Sequence, residues 1–161
     1  MKKILLAVDD STSAENACDY LMTMATPDDE IFVLAVAPTT TTFMSISFTD
    51  PSAAEKVDQQ VESHLKELLR KFSKKLVMKG LRHSCLLGHG SVKETILEEA
   101  TYHHIDLIVL GRRKMSGLKR TLVGSVSSYV VANAPCSVLV VKSDVEHEEK
   151  EQKKTQIVNV H

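Results

Sequence analysis

Five short apolar runs, each separated from the next by a segment with helical spacing, constrain the fold of this chain more than any other feature. Runs that are apolar on both faces are typical of strands in a parallel sheet covered by helices on both sides. Strict alternation of strands and helices requires parallel neighbours and right-handed crossovers. The sequence therefore predicts an α/β fold, a doubly wound five-stranded parallel sheet of order 3-2-1-4-5 with helices on both faces. The predicted strands are residues 3–8, 30–36, 82–87, 105–110 and 137–141.

The segments between the first three runs predict two helices. Residues 13–24 form the first, and the acidic and hydroxyl residues at 9–12 supply N-cap chemistry before it. The second helix is long: it begins near Ala53, ends at Gly80 and carries an apolar stripe that faces the core. The stripe consists of Val57, Val61, Leu65, Leu68, Leu69, Phe72 and Leu76.

Two further helices are expected in the second half of the chain. Ser91 starts the third helix, because Glu94 three residues later matches a capping box. The preceding residues 88–90 are expected to form a loop. Gly124 opens the fourth helix and Pro135 ends it. The third strand is less apolar than the others, which favours a position nearer the edge of the sheet.

The chain of 161 residues fits one domain. Residues 1–142 hold every predicted strand and helix. Residues 143–161 are expected to form a charged C-terminal tail, because they contain too little apolar surface to pack as a unit. Residues 39–48 are the least regular part, a loop whose aromatic side chains either pack onto the domain or cover a ligand.

Charge and hydropathy exclude several classes of function. The net charge is −1, with 20 basic and 21 acidic residues, so no nucleic-acid partner is expected. No apolar run approaches the roughly 20 residues of a membrane span, and no membrane partner is expected. The apolar run after the N-terminal lysines is shorter than a secretory signal needs. A cytoplasmic protein is the resulting interpretation.

The cysteines and histidines give no sign of a metal site. Cys18, Cys85 and Cys136 are far apart and lack CxxC spacing, so neither a zinc site nor a disulfide framework is indicated. Each lies in an apolar setting, which predicts small buried side chains in a reduced compartment. His103 and His104 are adjacent and point to different faces of a helix end, where they complement the helix dipole.

The stretch from residue 105 to 131 has the pattern of a phosphate cradle. A buried strand ends at Gly111, a basic loop follows, and Gly124-Ser125 opens a helix. Free backbone N–H groups and the positive end of the helix dipole at such a start favour an anion. In a doubly wound sheet, ligands lie beyond the carboxyl ends of the strands where the strand order reverses. Asp9 and Gly111 end the two strands at that point.

Four segments resemble the universal stress protein family over residues 1 to about 142. They are the opening strand with Val8-Asp9-Asp10-Ser11, the glycine-led helix start at residues 90–96, the strand at 103–111 and the closing segment at 134–141. Nucleotide-binding members of that family carry the motif G-x2-G-x9-G-[ST]. Gly111 and Gly124-Ser125 match this motif. Lys114 stands at the second glycine, where its side chain either crowds the phosphates or adds a mobile cation.

The resemblance implies a site for ATP or a related adenine nucleotide, with Mg²⁺ accompanying ATP. By that resemblance, Ala7, Asp9 and Val36 lie near ribose and adenine. Asp9 is alternatively only a helix N-cap. Phosphates would be held by Gly111, Arg113, Lys114, Gly117, Gly124, Ser125, Val126 and Ser127. A role as a stress-response sensor or switch is carried by the resemblance alone.

Catalysis and assembly follow from the same considerations. No nucleophile elbow, Cys-His pair or Walker lysine is present, so an enzyme is not expected beyond slow ATP hydrolysis. The last strand, Ser137–Val141, is an apolar edge, and the resemblance implies a homodimer through it. The rival interpretation is a dimeric protein-interaction module of the same fold that binds no nucleotide.

Overall fold

The computed structural model describes residues 1–38, 51–112 and 124–142. Within them, five parallel strands form one sheet of order β3-β2-β1-β4-β5, which confirms the predicted doubly wound architecture. Four helices are described in the same ranges. The elements in chain order are β1 (Lys3–Ala7), α1 (Thr12–Met24), β2 (Glu30–Pro38), α2 (Pro51–Met78), β3 (Arg82–Gly90), α3 (Val92–Tyr102), β4 (Leu107–Gly111), α4 (Ser125–Asn133) and β5 (Ser137–Val141).

The strand order places the switch point between β1 and β4. Ala7 lies opposite Leu34 of β2 on one side and opposite Leu110 of β4 on the other. All four strand pairs are parallel, so every strand ends at the same edge of the sheet. After β1 the chain continues to β2 on one side of the sheet, and after β4 it continues to β5 on the other side. A crevice is therefore expected beyond Ala7 and Gly111.

Side chains that alternate along the strands fill two cores, one on each face of the sheet. Ile4 and Leu6 belong to the core that α1 and α2 cover, where Phe72 and Leu76 are fully buried. Leu5 points to the second core, with Ile96 of α3 and Val130 of α4. This two-sided burial explains why the strand runs lack polar alternation.

Several local predictions are wrong at the ends of elements. Residues 88–90 are not a loop, because they continue β3 as far as Gly90 opposite Pro38. Ser91 is the N-cap of α3, but its side chain makes no capping hydrogen bond. Ser11, not Asp9 or Asp10, is the N-cap of α1, since its Oγ accepts the Ala14 N–H at 3.2 Å.

Exposure corrects two further expectations. Val57 is exposed, whereas Ala54 is buried near the start of α2. The residues of the predicted stripe are partly buried at Val61 and belong to the core from Leu65 onward. Cys18 is buried as predicted, and burial raises the pKa of its thiol to about 11. Cys85 is exposed, because β3 lies at the edge of the sheet. That edge position of β3 was predicted.

Asp29 ties the start of β1 to the turn before β2. Its carboxylate is buried and accepts the N–H groups of Lys2 at 2.7 Å and Thr26 at 2.9 Å, and the Thr26 hydroxyl at 2.9 Å. The Thr26 N–H, followed by the Lys2 N–H, the Thr26 hydroxyl and the charge of the N-terminus, lowers the pKa of this carboxyl although burial opposes the shift. These four interactions favour the ionised form of the Asp29 carboxyl group.

We expect Asp29→Asn to destabilise the protein at pH 7 by about 1–3 kcal/mol, because a charged acceptor of three hydrogen bonds is replaced by a neutral one. The pKa of Asp29 is lower in the folded chain than the unfolded value of about 3.9. Its stabilisation is therefore complete above that value and is lost as the pH falls through the folded pKa. Thermal denaturation of wild type and variant from pH 7 to pH 2 measures this difference.

The control is Asp28→Asn at the exposed neighbouring carboxylate, which makes the same chemical change in the same turn. Asp28→Asn should leave the melting temperature nearly unchanged throughout the pH range. A melting difference for Asp29→Asn that stays constant down to pH 2 would contradict the assigned role of its charge.

Candidate functional site

The carboxyl end of β1 leads directly into the start of α1 through Asp9. The Asp9 Oδ1 accepts the backbone N–H of Ser11 at 2.9 Å and also accepts the Ser11 hydroxyl. Ser11 in turn caps α1. Asp9 is therefore held in place at the switch point by the helix start that follows it. Its carboxylate is partly exposed at the edge where a ligand would bind.

Gly111 lies where the end of β4 meets the first turn of α1. A Cβ added to Gly111 would lie 2.1 Å from the Ser13 carbonyl oxygen and 2.7 Å from the Ala14 nitrogen. Both are backbone atoms and have little freedom to move. The position therefore excludes every side chain, and the match of Gly111 to the glycine motif has a packing reason in this chain.

Arg112 follows Gly111 and has its backbone fixed on two sides. Its N–H donates to the Val141 carbonyl at 2.9 Å, and its carbonyl accepts the Ser13 hydroxyl at 2.6 Å. Its Nε is buried, and in the part of the chain that the structure describes it has no hydrogen-bond partner. A buried guanidinium nitrogen without an acceptor at this edge fits an anionic ligand.

The N-terminus of α4 also has the features of an anion site. Its N-cap is Gly124, which has no side chain to accept a hydrogen bond, and its first turn contains no acidic residue. The N–H groups of the first turn have no acceptor within the helix. Ser125 is exposed, whereas Ser127 is buried and its hydroxyl donates to the Gly124 carbonyl at 3.1 Å.

The structure brings three of the predicted apolar site residues onto one core. Ala7 of β1, Val36 of β2 and Val126 of α4 are partly buried and pack against the core that contains Leu110. Gly111 ends β4, and Asp9 lies two residues beyond Ala7, the last residue of β1, at the switch point. Arg113, Lys114 and Gly117 lie outside the described residues, as do the loop at 39–48 and the tail at 143–161.

Two surface depressions lie away from this edge. One of about 550 Å³ is lined by α3 residues such as Leu97 and Tyr102, and one of about 310 Å³ lies near Glu30 and Arg82 at the amino ends of β2 and β3. In residues 1–38, 51–112 and 124–142, no cluster of three metal-ligating side chains is found. His103 forms the C-cap of α3 and pairs with Glu99 at 3.2 Å.

Sequence reasoning missed Ser13 and Arg112 as parts of the site. Ser13 looks like an ordinary residue of a helix start, and Arg112 looks like one of several cations in a basic loop. The hydrogen bond between them spans 99 positions of the chain. Only the strand order, which places α1 against the end of β4, could have indicated the contact.

These features define a doubly wound α/β protein in which Asp9, Gly111 and Arg112 lie at the topological switch point. The chain belongs to the universal stress protein family, whose model matches residues 1–142. It is 28% identical to universal stress protein YxiE of Bacillus subtilis over 145 residues, which are 87% of this chain and 98% of that protein. It is 32% identical to a putative universal stress protein of Staphylococcus haemolyticus, covering 89% and 86%.

Solved structures of the family share the fold. Universal stress protein UspA from Lactobacillus plantarum has a TM-score of 0.71 at 27% identity, covering 87% of this chain and 97% of that chain. A family protein from Arabidopsis thaliana with AMP bound has a TM-score of 0.68 at 22% identity, covering 95% and 97%. A universal stress protein in complex with cAMP has a TM-score of 0.66 at 19% identity, covering 87% and 97%.

No helix in residues 1–38, 51–112 and 124–142 combines the length and the hydropathy that crossing a bilayer requires.

We expect Gly111→Ala to destabilise the fold by about 2–3 kcal/mol or more, because its methyl group would overlap the Ser13 backbone. Gly124→Ala is the matched control: the nearest atom to its added Cβ is the Ser127 Oγ at 3.7 Å. Urea denaturation of both variants measures the difference. Equal free energies of unfolding for the two variants would contradict the close contact between the first turn of α1 and Gly111.

Proposed function

We propose that this chain binds ATP or a related adenine nucleotide at the edge formed by β1, β4 and the start of α4. The observation that carries the proposal is the N-terminus of α4, which has a glycine cap and no acidic first-turn residue. A helix start of this kind binds phosphate through backbone N–H groups and the helix dipole. The buried and unpaired Nε of Arg112 at the same edge is consistent with it.

Each residue of the proposed site has a chemical role. Ala7 and Val36 provide apolar surface for adenine, and the Asp9 carboxylate is suited to accept hydrogen bonds from ribose hydroxyl groups. The backbone N–H groups of Ser125, Val126 and Ser127 would receive phosphate oxygens. Following the family motif, we assign Gly111, Arg113, Lys114, Gly117 and Gly124 to phosphate binding, with Mg²⁺ accompanying ATP.

The structural relatives support an adenine nucleotide as the ligand. The Arabidopsis family protein holds AMP, and another family member is in complex with cAMP. At 22% and 19% identity these proteins share the fold with this chain, and the residues above argue for the ligand here. The relatives thus suggest adenine as the base of the ligand, and the N-terminus of α4 favours a ligand with phosphate groups.

The function that fits this site is a stress-response sensor or switch in the cytoplasm. Bound nucleotide would stabilise the state that binds it, by an amount that rises with the logarithm of nucleotide concentration above the Kd. Efficient catalysis is not proposed, because among the described residues no group of three or more metal-ligating side chains is found. Slow ATP hydrolysis is the most that this arrangement would support.

We further propose a homodimer formed through β5. This strand is an edge of the sheet, and Val138, Leu139 and Val140 are partly exposed along it. An apolar edge with unpaired backbone groups favours pairing with a second strand. The same edge also favours the rival function, a protein-interaction module that binds no nucleotide, because such a module would present this surface to its partners.

We expect Ser125→Asp to weaken binding of AMP and ATP by at least about ten-fold, since a carboxylate at the helix start repels phosphate. The same carboxylate is favourable for the helix dipole, so the stability of the free protein should be equal or slightly higher. Isothermal titration with adenosine, AMP and ATP, each with and without Mg²⁺, measures the effect.

Ser125→Asn is the matched control, because it has the same shape without the charge. Adenosine should bind both variants like the wild type, since it has no phosphate. Wild-type protein that releases no heat with AMP or ATP at high protein concentration would refute nucleotide binding and favour the interaction module.

Sedimentation velocity tests the homodimer. We expect wild-type protein at micromolar concentration to sediment at twice the chain mass and Val140→Lys to sediment as a monomer, because edge lysines oppose strand pairing. Ser84→Lys provides the control: it adds the same charge to an exposed position of the opposite edge strand, β3. A wild-type monomer, or a dimer that only Ser84→Lys disrupts, would overturn the assignment to β5.

A further inference from the structure

Arg112 combines a buried, unpaired nitrogen with a permanent charge. Its Nε is buried and has no hydrogen-bond partner in the residues that the structure describes. No ion pair with a carboxylate is found for it within those residues either. A guanidinium has five N–H donors and no acceptor, so the buried Nε needs an acceptor from another group. A donor in this condition costs stability unless an acceptor arrives.

The backbone of Arg112 is fixed independently of its side chain. The Val141 carbonyl holds its N–H from β5, and the Ser13 hydroxyl holds its carbonyl from the first turn of α1. Ser13 is itself buried. The residue is therefore anchored before any ligand binds, and a ligand would not have to order its backbone.

The position of Arg112 relates it to the phosphates of the proposed nucleotide. It directly follows Gly111 at the edge that also carries Asp9. A guanidinium matches the geometry of phosphoryl oxygens and donates charge-assisted hydrogen bonds to them. Neither adenine nor ribose carries a charge that would require such a donor.

We propose that Arg112 binds a phosphoryl oxygen of the nucleotide and makes the site select nucleotides over nucleosides. This inference rests on the proposed function and gives a role to a residue at a variable position of the glycine motif. The competing explanation is a structural clamp, in which the side chain of Arg112 holds β4, β5 and α1 together. The two explanations predict opposite effects on the free protein.

If the Arg112 side chain finds its hydrogen-bond acceptor only in the ligand, replacing this residue should not destabilise the ligand-free protein. Arg112→Met keeps an unbranched apolar stem and removes the unpaired nitrogen. We expect its melting temperature without ligand to equal or exceed that of the wild type. A structural clamp would instead lower the melting temperature, or prevent folding, when the guanidinium is removed. Either of these last two results would overturn the proposal.

Binding provides the second readout. Titration calorimetry should show about ten-fold to a hundred-fold weaker AMP and ATP binding by Arg112→Met, with adenosine affinity unchanged. Arg112→Lys should fall between the wild type and Arg112→Met, because it keeps the charge but lacks Nε. Lys142→Met is the charge-matched control at the exposed residue after β5 and should bind all three ligands like the wild type.

The outcomes separate this inference from the function on which it rests. Wild-type protein that binds AMP, with unchanged affinity in Arg112→Met, would overturn the role of Arg112 and leave nucleotide binding intact. An equal loss of adenosine and AMP affinity would also overturn it, because the residue would then shape the whole site. Wild-type protein that binds neither AMP nor ATP would overturn both proposals.

Discussion

The contact between the first turn of α1 and the end of β4 determines the arrangement of the candidate site. There is no room for a Cβ at Gly111, because the Ser13 and Ala14 backbone occupies that space. This approach brings the Ser13 hydroxyl to the Arg112 carbonyl and places Asp9, which precedes α1, beside the same edge. A side chain at residue 111 would separate α1 from the sheet and with it the groups that α1 positions. The fold and the site therefore depend on one glycine for the same steric reason.

The proposed site lies where the local rules of stability are not met. Most helix starts use a side-chain cap, but α4 begins at Gly124, which has none, and the Nε of Arg112 is buried without an acceptor in the described structure. The buried carboxylate of Asp29, by contrast, accepts three hydrogen bonds. Departures of this kind concentrate at functional sites, because a group kept ready for a ligand cannot also be satisfied by the protein.

The sequence was sufficient for the strand order because its signals are local and repeated: each buried run lacks polar alternation, and each helix has a clear apolar stripe. It failed where long-range packing decides. Residues 88–90 extend β3 by pairing with β2 as far as Pro38, and Thr95 of α3 packs closely on Gly88, contacts that no local pattern shows. Cys85 lies in an apolar stretch of sequence but is exposed, since an edge strand has a neighbouring strand on one side only. Ser13 and Arg112 meet across 99 residues, so neither could be assigned to the site before the topology was known.

Membership in the universal stress protein family accounts for the fold, whereas the chemistry of a site must be argued from the residues. A site for a metal ion would bring several carboxylates together, and the described part of this edge has Asp9 without such a cluster. A site for a neutral metabolite would have no use for an unpaired guanidinium nitrogen. Helix N–H groups, a glycine cap and Arg112 all favour negative charge, while Ala7 and Val36 provide apolar surface on the same core. A ligand with an apolar ring at one end and phosphate at the other satisfies both halves, which is why the residues favour a nucleotide over free phosphate or a nucleoside.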